Sequence, residues 1–158
     1  MPSIEALEHA QESLDAGRPL AALELLKGSF PAALSAEIRF LRAEALRAQG
    51  YFSRAATLYR SLLKGRPDRE TAIWIDSSLG LASVYRSLGQ VSLARRTLED
   101  GWKLARRRGA GQDERFLLED ALIDRAAGRW AKCLRKLGTL LARARLSRDA
   151  GGEAFLLW

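Results

Sequence analysis

Residues Leu79 to Gly109 read LGLASVYRSLGQVSLARRTLEDGWKLARRRG, two amphipathic helical patterns meeting at Gly89. Apolar residues recur three and four apart on either side of the glycine, the period of a helix that buries one face. A small residue, Ala82, stands seven before the glycine and another, Ala94, five after it. Glycine just past a helical pattern closes the last carbonyls in a left-handed conformation, which makes Gly89 a hinge between two antiparallel helices.

The same spacing recurs along the chain. Gly50 and Gly128 each lie 39 residues from Gly89, and Gly17 precedes Gly50 by 33. Seven before the four glycines stand Ala10, Ala43, Ala82 and Ala121, and five after them Ala22, Ala55, Ala94 and Cys133. Nine after stand Leu26, Tyr59, Leu98 and Leu137. Small residues in the first two columns let the two helices of one unit cross closely, and the large third column fills the space between one unit and the next. Cys133 therefore reads as a small buried hydrophobe rather than a nucleophile.

This pattern resembles the tetratricopeptide repeat, a helix-turn-helix unit of about 34 residues that stacks into a superhelix. The resemblance covers nearly the whole chain, as three and a half to four units over about residues 3–34, 36–68, 75–109 and 114–148. It is strongest at Leu79 to Gly109 and in LRAEALRAQGYFSRAATLYRSLLKGRPD, where Pro67 stands at the usual close of the second helix. The first and last units depart from it, with Ser13 and Asp124 in the column that holds Leu46 and Tyr85. The long 39-residue spacing implies longer helices, or loops around Gly65 to Thr71 and Arg106 to Asp113.

The expected architecture is all-α, a right-handed superhelix of antiparallel helix pairs with about eight helices. These are Ile4 to Ala16, Pro19 to Lys27, Ala36 to Gln49, Phe52 to Lys64, Glu70 to Leu88, Val91 to Arg107, Glu114 to Ala127 and Trp130 to Leu146. Pro19 falls in a first turn, where its missing N–H costs nothing. EAFLLW from Glu153 begins a further, truncated unit or forms a capping segment, and Phe155, Leu156, Leu157 and Trp158 offer a surface for self-association. Trp74, Trp102, Trp130 and Trp158 fall 28 apart, but their neighbours do not repeat with them, so that spacing reads as coincidence.

Composition sets the outer bounds. A chain of 158 residues that is 47% hydrophobic and 28% charged can bury one core. One cysteine allows no internal disulfide, no apolar run reaches the length of a membrane span, and the N-terminus lacks a signal-peptide pattern. A cytoplasmic protein that does not enter the membrane is the expectation. Residues 1–85 balance ten basic against ten acidic groups, so the net charge of +7 belongs to residues 86–158. That asymmetry points to an acidic partner, or to arginine filling solvated helix faces.

No catalytic or cofactor constellation is legible: His9 has no nucleophile or carboxylate pair beside it, and there is no phosphate loop or metal-ligand spacing. The pairs Glu99 with Asp100, Asp113 with Glu114 and Glu119 with Asp120 read as solvated faces or helix starts. A non-enzymatic scaffold without cofactor or metal is expected.

The resemblance places a concave groove along the first helix of each unit. Projected here, its lining is Leu7, Gln11, Phe40, Glu44, Arg47, Asp76, Leu79, Ser83, Arg86, Arg115, Leu118, Leu122 and Arg125. Arg47, Arg86 and Arg125 form a ladder beside an apolar strip of Phe40, Leu79 and Leu118, suited to an acidic or amphipathic peptide of a partner protein. The opposing reading is that these arginines pair inside the array. The Lys and Asn clamp that some members of the family use is absent, since Leu7, Gln11, Phe40 and Glu44 stand where it would begin. The alternative function is nucleic-acid binding on the convex side, through Arg95, Arg96, Arg106, Arg107, Arg108, Arg135 and Lys136.

Overall fold

A computed structural model describes residues 4–65, 71–111 and 113–147. Eight α-helices follow one another among them: α1 (Ile4–Asp15), α2 (Pro19–Leu25), α3 (Ser35–Ala48), α4 (Phe52–Leu63), α5 (Thr71–Ser87), α6 (Val91–Arg107), α7 (Glu114–Ala126) and α8 (Trp130–Leu146). A 3-10 turn, Ala32–Leu34, leads into α3. The expected helices are all present, α6 and α8 with the expected ends and the others with described ends displaced by at most two residues. Helices α5 and α6 reach 17 residues each, against 14 and 12 in α3 and α4, which accounts for part of the 39-residue spacing. Pro67 and the segment from Glu153 to Trp158 lie outside the described residues.

The four hinges share one construction. Gly17, Gly50, Gly89 and Gly128 have φ of 67°, 78°, 73° and 72°, the left-handed region that an L side chain resists. At each, the glycine N–H donates three residues back and the following N–H donates five back: Gly89 to Arg86 and Gln90 to Tyr85, for example. This double closure satisfies carbonyls that the helix end would otherwise leave open.

The hinges set up two layers. Odd-numbered helices pack on their odd-numbered neighbours as well as on the helices before and after them, whereas α2, α4, α6 and α8 do not reach one another. The odd helices therefore form the inner layer and the even helices splay outside it.

Three cores run between the units, and the columns of the first three units fall into them. Ala10 and Ala22 share a cluster with Leu26 and with Ile38, Leu41 and Ala45 of the next unit. Ala43, Ala55 and Tyr59 cluster with Leu81 and Val84, and Ala82, Ala94 and Leu98 with Phe116 and Ile123. Every alanine of the two small columns is fully buried, and Cys133 nearly so. The departures from apolarity at Ser13 and Asp124 are both buried too. Asp124 is accommodated by charge: Arg95 reaches it at 2.7 Å, and Lys136 and Arg129 also approach it.

Among the described residues no helix is long and apolar enough to cross a membrane, and no group of three metal-ligating side chains occurs.

Candidate functional site: the inner groove

Four helices, α1, α3, α5 and α7, enclose a cavity of about 540 Å³ on the inner layer. Helices α3, α5 and α7 each present the residue ten before their hinge, so a repeated hinge produces a continuous surface. Phe40, Leu79 and Leu118 run along it, each half-buried, and Leu14 extends the strip at the α1 end. Gln11, Glu44, Arg47, Asp76, Ser83 and Arg115 also line it, as the register predicts. Asp15 and Glu119 join them.

The remaining projected residues do not line the cavity. Leu7 is half-buried and packs against the first core. Leu122 is half-buried outside the cavity, and Arg125 is exposed with no ion pair among the described residues.

The open arginine ladder is corrected by the ion pairs. Arg86 Nε donates to Glu119 Oε1 at 2.7 Å, joining α5 to α7, and both side chains are largely buried. Arg47 donates to Glu44 Oε2 at 2.6 Å on its own helix, and Glu44 also accepts from the Tyr59 hydroxyl. Burial opposes the charge on Arg47, but Glu44 outweighs it and holds the guanidinium firmly protonated. Burial, then Glu44, pushes the Tyr59 hydroxyl well above its ordinary value, so it stays a donor. Burial likewise raises the Glu119 carboxyl, with Arg86 only partly offsetting it.

Arg115 is the most open cation of the groove, its side chain 60% exposed. It bridges Asp76 of α5 at 2.9 Å and Asp113 at 2.7 Å. Asp113 caps α7 by accepting from the Arg115 N–H at 3.0 Å, as a helix-start reading of that pair requires. Asp76 is raised by burial in spite of Arg115. The cavity wall thus carries four carboxylates, Asp15, Glu44, Asp76 and Glu119, against Arg47 and Arg115, with Arg86 behind. It is a surface of mixed charge, in which Arg47 and Arg86 are already paired and do not form an open ladder.

The basic outer face is also thinned. Arg95 pairs with Asp120 at 2.8 Å and with Asp124, and Lys136 pairs with Asp120 at 2.6 Å. These contacts tie α6 and α8 to α7, so Glu119 and Asp120 are braces inside the array rather than solvated groups. Arg96, Arg106, Arg107, Arg108 and Arg135 remain exposed. Arg106 lies over the Trp102 ring at 4.6 Å. Sequence reading named Glu119 only as a possible partner of the arginines, and did not place Asp15 or Tyr59 at the site. Partial signals existed: Glu119 lies nine before Gly128 on the groove helix, and Tyr59 is the polar member of an apolar column.

Compared with known proteins by family model, by sequence and by fold, the chain shows no match.

Proposed function

We propose that the protein is a non-enzymatic scaffold of tetratricopeptide-repeat type whose inner groove holds an amphipathic segment of a partner protein. The observation that carries this reading is the strip Phe40, Leu79 and Leu118, half-open across three successive units of one cavity. Apolar side chains held at a regular interval on rigid helices suit the apolar face of a helical or extended peptide. The ion pairs at its edges keep the groove side chains ordered before binding, which lowers the entropy lost on association.

The charge of the groove refines the partner. Four carboxylates line the wall with Arg47 and Arg115, both already ion-paired, so a segment with both ammonium and carboxylate groups fits better than a uniformly acidic one. A photo-crosslinking amino acid at Ser83 tests the reading. It should capture a defined partner segment with an apolar face, and Leu118→Glu should reduce that capture at least tenfold. Equal capture from the same crosslinker placed at exposed Lys103, on the outer layer, would refute it.

A further inference from the structure

The outer layer carries a cleft of its own, between the first two units. Helices α2 and α4 do not reach one another, and between them, floored by α3, lies an opening of about 630 Å³. Its walls are chiefly apolar: Leu23 and Leu26 come from the α2 side, Tyr51 and Leu58 from the α4 side, and Leu46 from α3. Lys27, Arg42 and Arg54 also line it, and among the described residues no carboxylate does.

Arg42 occupies a register position that the array treats differently from unit to unit, eight before the hinge. In the third unit this position is Leu81, buried in a core with Ala56. In the fourth it is Asp120, flanked by Arg95, six after the preceding hinge, and Lys136, eight after its own, and paired with them at 2.8 Å and 2.6 Å. In the second unit the two flanking positions hold Leu23 and Leu58. A guanidinium thus lies partly buried where its neighbours are leucines, and among the described residues its one hydrogen bond is donated to the Leu26 carbonyl. A single neutral acceptor does not offset a charge drawn out of water, and it leaves most of the five N–H donors unused. The other two cations are equally available. Arg54 lies over the Tyr51 ring at 5.9 Å with no ion pair among the described residues. Lys27 meets Glu24 in a pair whose side chains are 70% and 68% exposed, which water largely screens.

We infer that this cleft is a second binding site, independent of the groove, and that its ligand is a small amphiphilic carboxylate, one acid group on an apolar body. The carboxylate supplies Arg42 with the anion that Asp120 finds in reverse two units on, and the planar fork accepts it in two parallel hydrogen bonds. Arg54 and Lys27 add attraction. The apolar body covers the leucine walls and the Tyr51 ring. A bare anion would leave those walls wet, and an uncharged body would leave Arg42 unpaired. The volume falls within the range of about 300–1,000 Å³ usual for small-ligand sites.

The test titrates the full chain with decanoate below its micellar range, followed by calorimetry. One molecule should bind per chain. Binding should weaken at least tenfold on Arg42→Leu, which places at this register the residue type that the third unit carries there. It should weaken as much on Thr57→Glu, which adds a competing carboxylate at an exposed lining position. Unchanged circular dichroism will show that both variants remain folded. Decyltrimethylammonium, with the same chain and the opposite charge, and acetate, with the charge and almost no chain, should each bind at least tenfold more weakly than decanoate. No binding of decanoate, or binding that Arg42→Leu leaves unchanged, overturns the proposal. Equal binding of decyltrimethylammonium overturns it by showing that apolar surface alone is recognised, and equal binding of acetate by showing an anion site alone. A peptide alternating leucine and glutamate that binds the cleft more tightly than decanoate also overturns it, by making a protein segment the occupant.

Discussion

Replacing Gly80 by alanine adds one methyl group where α5 of one unit meets Tyr59 of the unit before. The new Cβ would stand 2.5 Å from Tyr59 Cζ and 2.7 Å from both Cε1 and the hydroxyl oxygen. Tyr59 cannot swing away freely, since it is fully buried among Ala43, Ala55, Leu81 and Val84 and donates to Glu44. Overpacking of this kind costs about 1–3 kcal/mol. Losing the hydrogen bond to a carboxylate adds roughly 1.5 kcal/mol. Alanine in a helix interior returns about 1 kcal/mol relative to glycine. The net loss is about 1.5–3.5 kcal/mol, which for a chain of this length lowers Tm by about 3–14 °C. Gly138→Ala isolates the propensity part, because nothing stands within 4 Å of its new Cβ, and should raise Tm by about 2–4 °C. Thermal and urea melts followed by circular dichroism measure both. Tyr59→Phe should not rescue Gly80→Ala, since the two ring carbons still collide. Equal effects at the two glycines, or a Gly80→Ala protein as stable as the wild type, would refute the close approach between α4 and α5.

Two further expectations concern charge. Arg86→Ala leaves the largely buried Glu119 without its partner and should cost about 2–4 kcal/mol at pH 7. Burial holds the folded Glu119 carboxyl above its ordinary value, so the folded protein takes up that proton first as pH falls; the deficit should shrink toward pH 5, and urea midpoints that diverge instead would refute it. Asp124 behaves oppositely: burial would raise it, but hydrogen bonds and charge from Lys136 and Arg95 hold it below the usual carboxylate range. Its contribution is complete above the ordinary value of about 4 and lost as pH falls through the lowered folded value. Asp124→Asn should therefore cost about 2 kcal/mol at neutrality, less than for a fully buried pair because its cations are partly exposed, and should converge with the wild type in acid; a gap constant with pH would show that the network is not electrostatic.

The helical ladder was legible because its determinants are local. A glycine that closes a helix, a small residue seven before it and another five after act through the backbone geometry of one hairpin. They therefore recur in the sequence wherever the hairpin recurs. The apolar strip of the groove was legible for the same reason, since Phe40, Leu79 and Leu118 each stand ten before a hinge.

Charge was not legible in this way. Arg86 meets Glu119 across 33 residues of sequence, and Arg95 meets Asp120 and Asp124 across 25 and 29. Which carboxylate an arginine reaches depends on the stagger of two helices and on long, flexible side chains, and no short-range spacing encodes either. By itself, then, the sequence determined the all-helical repeat, its hinges, its cores and the apolar line of the groove, because these rest on backbone conformation and side-chain size. Only the tertiary structure decided that Arg47 and Arg86 are internal partners of Glu44 and Glu119, because an ion pair is a property of two helices brought together.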